Sequence, residues 1–402
     1  MAKMDPDNSA ELWDSAQRAV IAGDVSTLER LLRDHPALFA DEHPPGYVPS
    51  GPRPTYAQRD ARAIIAREHH FETYAEFVAH VEARKLVDSP VARFESAVEA
   101  VINGDAATLE RLLREHPELV HARSTRQHRS TLLHYVGANG IEGFRQQTPK
   151  NAVDIARILL DAGAEVNEVA DMYGGGSTTL GLVATSVHPW LAGVQLPLLE
   201  LLLARGATIE EPGAGSAVHG CLANGRGEAA EFLAGRGARL DLAGAAGVGR
   251  LDLVDRMAAT ATAQQLKTAF EWACGYGRTN VVEFLLRHGM AVDATLSHDG
   301  LLALHMAAGG GHVDTVKLLL ERNAPVDRKD GVHGGTPLGW ALYGWFESEG
   351  RPGNYHEVVR LLVAAGAPVN PKWIDEQDRD PFERMVHADP NMLAALRGGV
   401  QT

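Results

Sequence analysis

The side chains that could do chemistry are scattered along this chain. It carries 18 histidines in 402 residues, and histidine is the commonest metal ligand and a ready general base. In "HHFETYAEFVAH", Glu72, Glu76 and His80 fall at i, i+4 and i+8, along one helix face. No H-E-x-x-H pattern is present, so that spacing predicts a solvated polar face and no metal site. His188, His219 and Cys221 would meet only if neighbouring segments brought them together. "YGGGSTT" (Tyr173 to Thr179) looks like a phosphate cradle but lacks the G-K-[ST] ending. No G-x-S-x-G elbow exists for a nucleophilic serine. Cys221 and Cys274 are the 2 cysteines, too few for a disulfide framework or zinc spacing. No catalytic residue is named on this basis, and no metal and no cofactor are expected.

The most unusual aromatics lie in "GGTPLGWALYGWFESEGRPG" (Gly334 to Gly353). Leu338, Ala341, Leu342 and Trp345 share the i, i+3, i+4, i+7 stripe, which predicts burial for Trp345. Trp340 and Tyr343 fall on another face.

Composition bounds what such residues can serve. Asp and Glu number 52 against 38 Lys and Arg, a formal charge of −14. That field repels phosphate backbones, so nucleic acid is not an expected partner. No apolar run approaches a membrane span. The start, "MAKMDPDNSAELWDSAQ", lacks the basic-then-apolar order of a secretory signal. With so little cysteine, the expected compartment is the reducing cytoplasm.

The positioning elements are read from repetition. "SAQRAVIAGDVSTLERLLRDHPAL" (Ser15 to Leu38) returns as "SAVEAVINGDAATLERLLREHPEL" (Ser96 to Leu119), with 17 identities. A looser phrase recurs downstream, from "ILLDAGAEVN" to "LLVAAGAPVN". Each copy has an apolar helical stripe ending at Gly163, Gly206, Gly237, Gly289, Asn323 or Gly366. Those residue types tolerate the left-handed turn that closes a helix. Within Leu301 to Asp327 a short helix, Leu302 to Ala308, turns at glycines into a second helix bearing Val313, Val316, Leu319 and Leu320. Neither helix can bury its apolar face alone; stacked neighbours can.

"ALHMAAGGGHVDTVKLLLERNAPVD", "GGTPLGWAL", "STLLHYVGANG" and "EWACGYGRTNVVEFLLRHGMAVD" resemble the ankyrin repeat family. The resemblance covers roughly Phe94 to Asn370. Ser9 to Lys85 looks like diverged units, of the kind bacterial ankyrin proteins carry at that end. It implies an all-α, ankyrin-type solenoid of about ten helix pairs with short β-turn tips and extended loops. Residues 1–90 would be the diverged units, 91–370 the repeat array, and 371–402 a capping helix (near Pro381 to Arg397) and tail. Three inserted segments, Ile141 to Asn151, Ser186 to Pro197 and Gly344 to His356, fall between first and second helices and would project from one side. The resemblance gives His134, His219 and His305 a structural role, hydrogen-bonding backbone between repeats. Glu271 stands in that histidine slot, where a carboxylate could serve as an acid or base.

Aligning the units gives two columns. One reads Tyr135, Leu182, Gly220, Gly244, Trp272, Met306, Trp340; the other reads Ala138, Thr185, Ala223, Gly247, Gly275, Gly309, Tyr343. Bulky ends and a glycine middle fit either a groove pocket or side chains half-buried between neighbouring first helices. The expected function is recognition of a peptide, protein segment or small molecule in the concave groove. Tyr135, Trp272, Met306, Trp340 and Tyr343 would be its anchors. Asn139, Tyr173, His188, Asn224, Glu271 and Tyr276 would be polar contacts, with His333 on a turn tip. The alternative is an enzyme of hydrolase, cyclase or lyase type with its active site under the inserted loops. Neither reading needs a membrane, and neither specifies an oligomeric state.

Overall fold

The computed structural model describes residues 6–35, 60–210, 215–296, 300–347, 353–374 and 381–398. It is an all-α repeat architecture, in which helix pairs follow one another and each needs its neighbours to cover its apolar face. The chain forms two compact units, 1–220 and 221–402. No helix among the described residues is long and apolar enough to cross a membrane.

In the first unit the duplicated segments fold alike. Asp24 and Asp105 cap the helices Val25–Asp34 and Ala106–Glu115, accepting from the backbone N–H of Thr27 and Thr108 at 3.0 Å. Each cap satisfies one of the donors a helix start leaves open. Leu28, Leu31 and Leu32, and their counterparts Leu109, Leu112 and Leu113, are buried. Between the copies lie the helices Ala61–Glu68 and Tyr74–Lys85. The polar face expected here divides. Glu72 and Glu76 are exposed, and Glu76 completes a capping box with Thr73, but His80 is buried. After the helices Pro90–Asn103 and Ala106–Glu115 comes a 3-10 helix, Leu132–Gly137, and then the helix Ala152–Asp161. A short antiparallel pair, Val169–Ala170 with Ser177–Thr178, forms one turn tip and leads into Thr179–Thr185. Val187–Leu191 and Gln195–Ala204 follow.

The second unit repeats the theme through Leu242–Gly247 with Leu251–Ala258, and Ala263–Gly275 with Thr279–Arg287. Ala303–Gly309 with Val313–Glu321, and Pro337–Phe346 with Tyr355–Ala364, continue it. Val254, Phe270, Leu285, Leu304, Val316, Leu338 and Leu362 belong to one apolar core, and Trp345 is buried against it as its stripe predicts. The glycine slots behave as the residue types require: Gly163, Gly206, Gly237, Gly289 and Gly366 have φ between +89° and +103°, and Asn323 has +60°.

At the C-terminal end, two helices, Pro381–Ala388 and Pro390–Arg397, replace the single expected helix. Pro390 cannot donate the N–H that would continue the first. Asp389 instead caps the second, accepting from Asn391 N–H and Met392 N–H. Part of the third inserted segment, 348–352, lies outside the described residues.

Candidate functional site

Trp272, Met306 and Trp340 sit on successive first helices of the second unit. A methyl group added at Gly247 would lie 3.3 Å from Trp272 Cε3; at Gly275, 3.2 Å from Met306 Cε; at Gly309, 3.5 Å from Trp340 Cε3. Each large side chain therefore rests on the glycine of the preceding first helix. The same interlock occurs in the first unit, where a methyl at Gly137 would lie 2.8 Å from Leu182 Cβ. In the second column the glycines are places of close approach between neighbouring first helices. Within the second unit Gly247, Gly275 and Gly309 are seats for neighbouring side chains. Close backbone approach needs a residue without a side chain, which is the physical reason the column is small.

The column is large where that seat is not taken. Tyr343 occupies the glycine position of Pro337–Phe346 and is 53% exposed. Its ring meets Trp340 edge-to-face at 6.2 Å, and Trp340 meets His333 at 6.3 Å. Trp340 Nε1 donates to Asp330 Oδ2 at 3.0 Å. Asp330 also accepts from the N–H groups of Val332, His333 and Gly335 at 2.6 to 2.9 Å. Burial would raise the Asp330 pKa, but these donors outweigh it and hold the carboxyl well below the usual range. One ionised side chain thus ties the tip 330–335 to the first helix, leaving Val332 and His333 exposed beside Tyr343.

Other expected contacts are committed internally. Tyr135 is buried and its hydroxyl donates to Glu142 Oε1 at 2.7 Å, so it does not face a groove. Asn139 donates to Thr185 Oγ1 at 2.6 Å and accepts from the Tyr173 hydroxyl at 2.8 Å. Tyr173 reaches it from a left-handed backbone position, φ +52°. His188 Nε2 lies 3.2 Å from Gln146 Oε1, which joins the first two inserted segments. Tyr276 donates to the Leu222 carbonyl and covers Gly227. Asn224 is exposed. Glu271 is half-buried, and that burial raises its pKa.

In two of the histidine slots, those of His134 and His305, the ring is structural, as the resemblance implied. His134 Nδ1 accepts from Thr131 N–H, so Nε2 carries the proton and donates to the Glu168 carbonyl at 3.0 Å. His305 does the same between Leu302 N–H and the Arg328 carbonyl.

The densest chemistry was missed at the sequence level. Glu95, Arg126, Glu142, His128 and Tyr135 are all at most 3% exposed. Arg126 Nη1 bonds Glu95 Oε1 at 2.5 Å and lies 3.5 Å from Glu142 Oε1. Arg145 bonds Glu95 Oε2 at 2.8 Å and Glu99 Oε1 at 2.9 Å, and donates through Nε to Glu142. Burial would raise both buried carboxyls. For Glu95, Arg126 and Arg145 reverse that; for Glu142, His128 and the two arginines do, so both stay ionised. Neither can act as a proton donor, and each is already spoken for by a guanidinium. This is the chemistry of a clamp, fastening the segment 141–151 onto the helix Pro90–Asn103, and not of an acid–base pair.

The family model described as "Ankyrin repeats (3 copies)" matches residues 242–330 and 272–373. Over 62 residues the chain is 48% identical to Inversin of Gallus gallus, covering 15% of this chain and 6% of that protein. Over 71 residues it is 41% identical to "Ankyrin repeat and SAM domain-containing protein 6" of Mus musculus, 18% of this chain and 7% of that protein. Over 107 residues it is 33% identical to "B-cell lymphoma 3 protein homolog" of Mus musculus, 26% and 22% respectively. The chain spans only a small part of each relative. These likenesses lend no support to the enzymatic alternative.

Proposed function

Since this chain is an ankyrin repeat protein, we propose that it binds a protein segment through the aromatic patch of the second unit formed by Val332, His333, Trp340 and Tyr343. Ankyrin repeats are generally protein-interaction modules, which supports a binding role. The observation that carries the finer reading is Tyr343, a large aromatic more than half exposed beside a tip that Asp330 holds rigid. A rigid aromatic anchor loses little conformational entropy on binding, and such residues dominate interface energetics. Trp272, Met306 and most of Trp340 serve the patch from beneath by keeping the first helices in register. The partner is a peptide segment and not nucleic acid, in keeping with the net charge of −14. Cys221 and Cys274, both buried free thiols, suit a cytoplasmic setting.

The test is selection of peptides from a random displayed library on the immobilised protein. Selected peptides should lose about tenfold or more in affinity for Tyr343→Ser, the loss typical of a hot-spot aromatic, while its melting temperature is unchanged. Peptides that bind Tyr343→Ser with undiminished affinity would place the site elsewhere.

A further inference from the structure

We propose, resting on Tyr343 as the anchor of the peptide interface, that the partner segment carries an arginine. Its guanidinium lies over the Tyr343 ring and pairs with Glu347.

The extra length of one helix builds the site. Ala303–Gly309 stops at the glycine that corresponds to Tyr343, whereas Pro337–Phe346 runs on past Tyr343 into the third inserted segment. The Glu347 N–H donates to the Tyr343 carbonyl at 2.9 Å, which places Glu347 one helical turn beyond Tyr343. Side chains four apart on a helix are neighbours, with Cβ atoms about 5–6 Å apart. The added turn thus sets a carboxylate beside an exposed ring. It also brings Phe346, which leans on Phe382 at 5.7 Å.

Charge decides what the ring and the carboxylate take. Neither Ala303–Gly309 nor Pro337–Phe346 carries an Asp, Glu, Lys or Arg. The Asp330 carboxylate is engaged by Trp340 and by the N–H groups of Val332, His333 and Gly335. Glu347 is exposed and makes no ion pair among the described residues. Tyr343 meets one ring among them, Trp340, at 75°, so no ring is stacked on its face. An aromatic face attracts a cation, and an ionised carboxylate only accepts hydrogen bonds. Arginine fits this pair better than lysine. A planar guanidinium stacks flat on a ring and still presents N–H groups at its edge to a carboxylate. The lysine ammonium is a more strongly hydrated point charge. An acidic segment would have to meet Arg328 and Lys329, which precede the tip and are not on this helix face.

Peptides selected on the full chain from the random displayed library test this. Arginine should recur at one position among those that lose affinity for Tyr343→Ser. In a synthetic copy of one such peptide, citrulline, the uncharged isostere, should replace that arginine at a cost of about tenfold in affinity. That is the combined worth of an exposed ion pair and a cation–π contact. Glu347→Gln should bind the arginine peptide about fivefold more weakly, with an unchanged melting temperature. On that variant citrulline should cost only about twofold, the cation–π share. Peptides that need Tyr343 but lack a recurrent arginine, or favour Asp or Glu, would overturn the arginine and leave the anchor standing. So would citrulline binding as well as arginine, or costing the same on both proteins. Selected peptides indifferent to Tyr343→Ser would remove the anchor and the arginine site together.

Discussion

Glu142 accepts hydrogen bonds from Tyr135 and Arg145 while 1% exposed. Removing its charge would leave the opposing guanidinium groups buried and uncompensated. Glu142→Gln is therefore expected to cost about 3–5 kcal/mol, read from urea dependence of hydrogen exchange in the helix Pro90–Asn103. A cost below about 1 kcal/mol, the worth of a solvated pair, would show that water reaches the cluster. The nearby histidines predict a pH dependence. Burial pulls the pKa of His70 and of His80 down to about 4 from 6.5. The unfolded chain binds these protons first as pH falls, so the stability of the first unit is full above pH 6.5 and declines as pH drops from 6.5 towards 4. A melting temperature that stays flat across that window would show that these rings are protonated without penalty in the folded state. Little of this was legible beforehand. Asp14 and Glu95 occupy the same place in the duplicated segment, yet Asp14 is exposed and Glu95 buried. The difference comes from residues far along the chain, Arg126 and the 141–151 segment, and a local pattern does not carry it. The one available hint was an arginine, Arg145, inside an otherwise loop-like insertion.

At the scale of elements, the seating of large side chains on glycines makes a graded prediction. Gly137→Ala brings a methyl to 2.8 Å from Leu182 Cβ, an atom close to a backbone that cannot swing aside. It should destabilise by about 1–3 kcal/mol. Gly309→Ala makes an ordinary 3.5 Å contact with Trp340 Cε3. It also gains helix propensity of up to about 1 kcal/mol, so it should be neutral or stabilising. Thermal denaturation of the two variants checks the order, and the reverse order would mean the columns do not interlock. Trp272→Ala, by emptying the seat over Gly247, should cost about 2 kcal/mol, below the roughly 3–5 kcal/mol of a fully buried tryptophan because this one is only half-buried. Helix ends were the most legible feature, since a left-handed closing residue is a local requirement. All six slots, Asn323 included, adopt positive φ. Pro390 was equally visible in the sequence, and its break of the final helix could have been anticipated from its missing N–H. The meaning of the glycine columns was not legible. Small residues serve a cavity floor and a close contact equally well, and only the position of the next helix distinguishes them.

For the whole molecule, the two compact units divide the work in this account. The first carries the buried charge clamp; the second carries the exposed aromatic patch and the residues matched to ankyrin repeats. The measurement that tests the central claim most directly is hydrogen exchange on the full chain with and without a saturating selected peptide. The account predicts slowed exchange across 330–343, with the first unit unchanged. Protection confined to the first unit, with 330–343 exchanging as in the free protein, would contradict it.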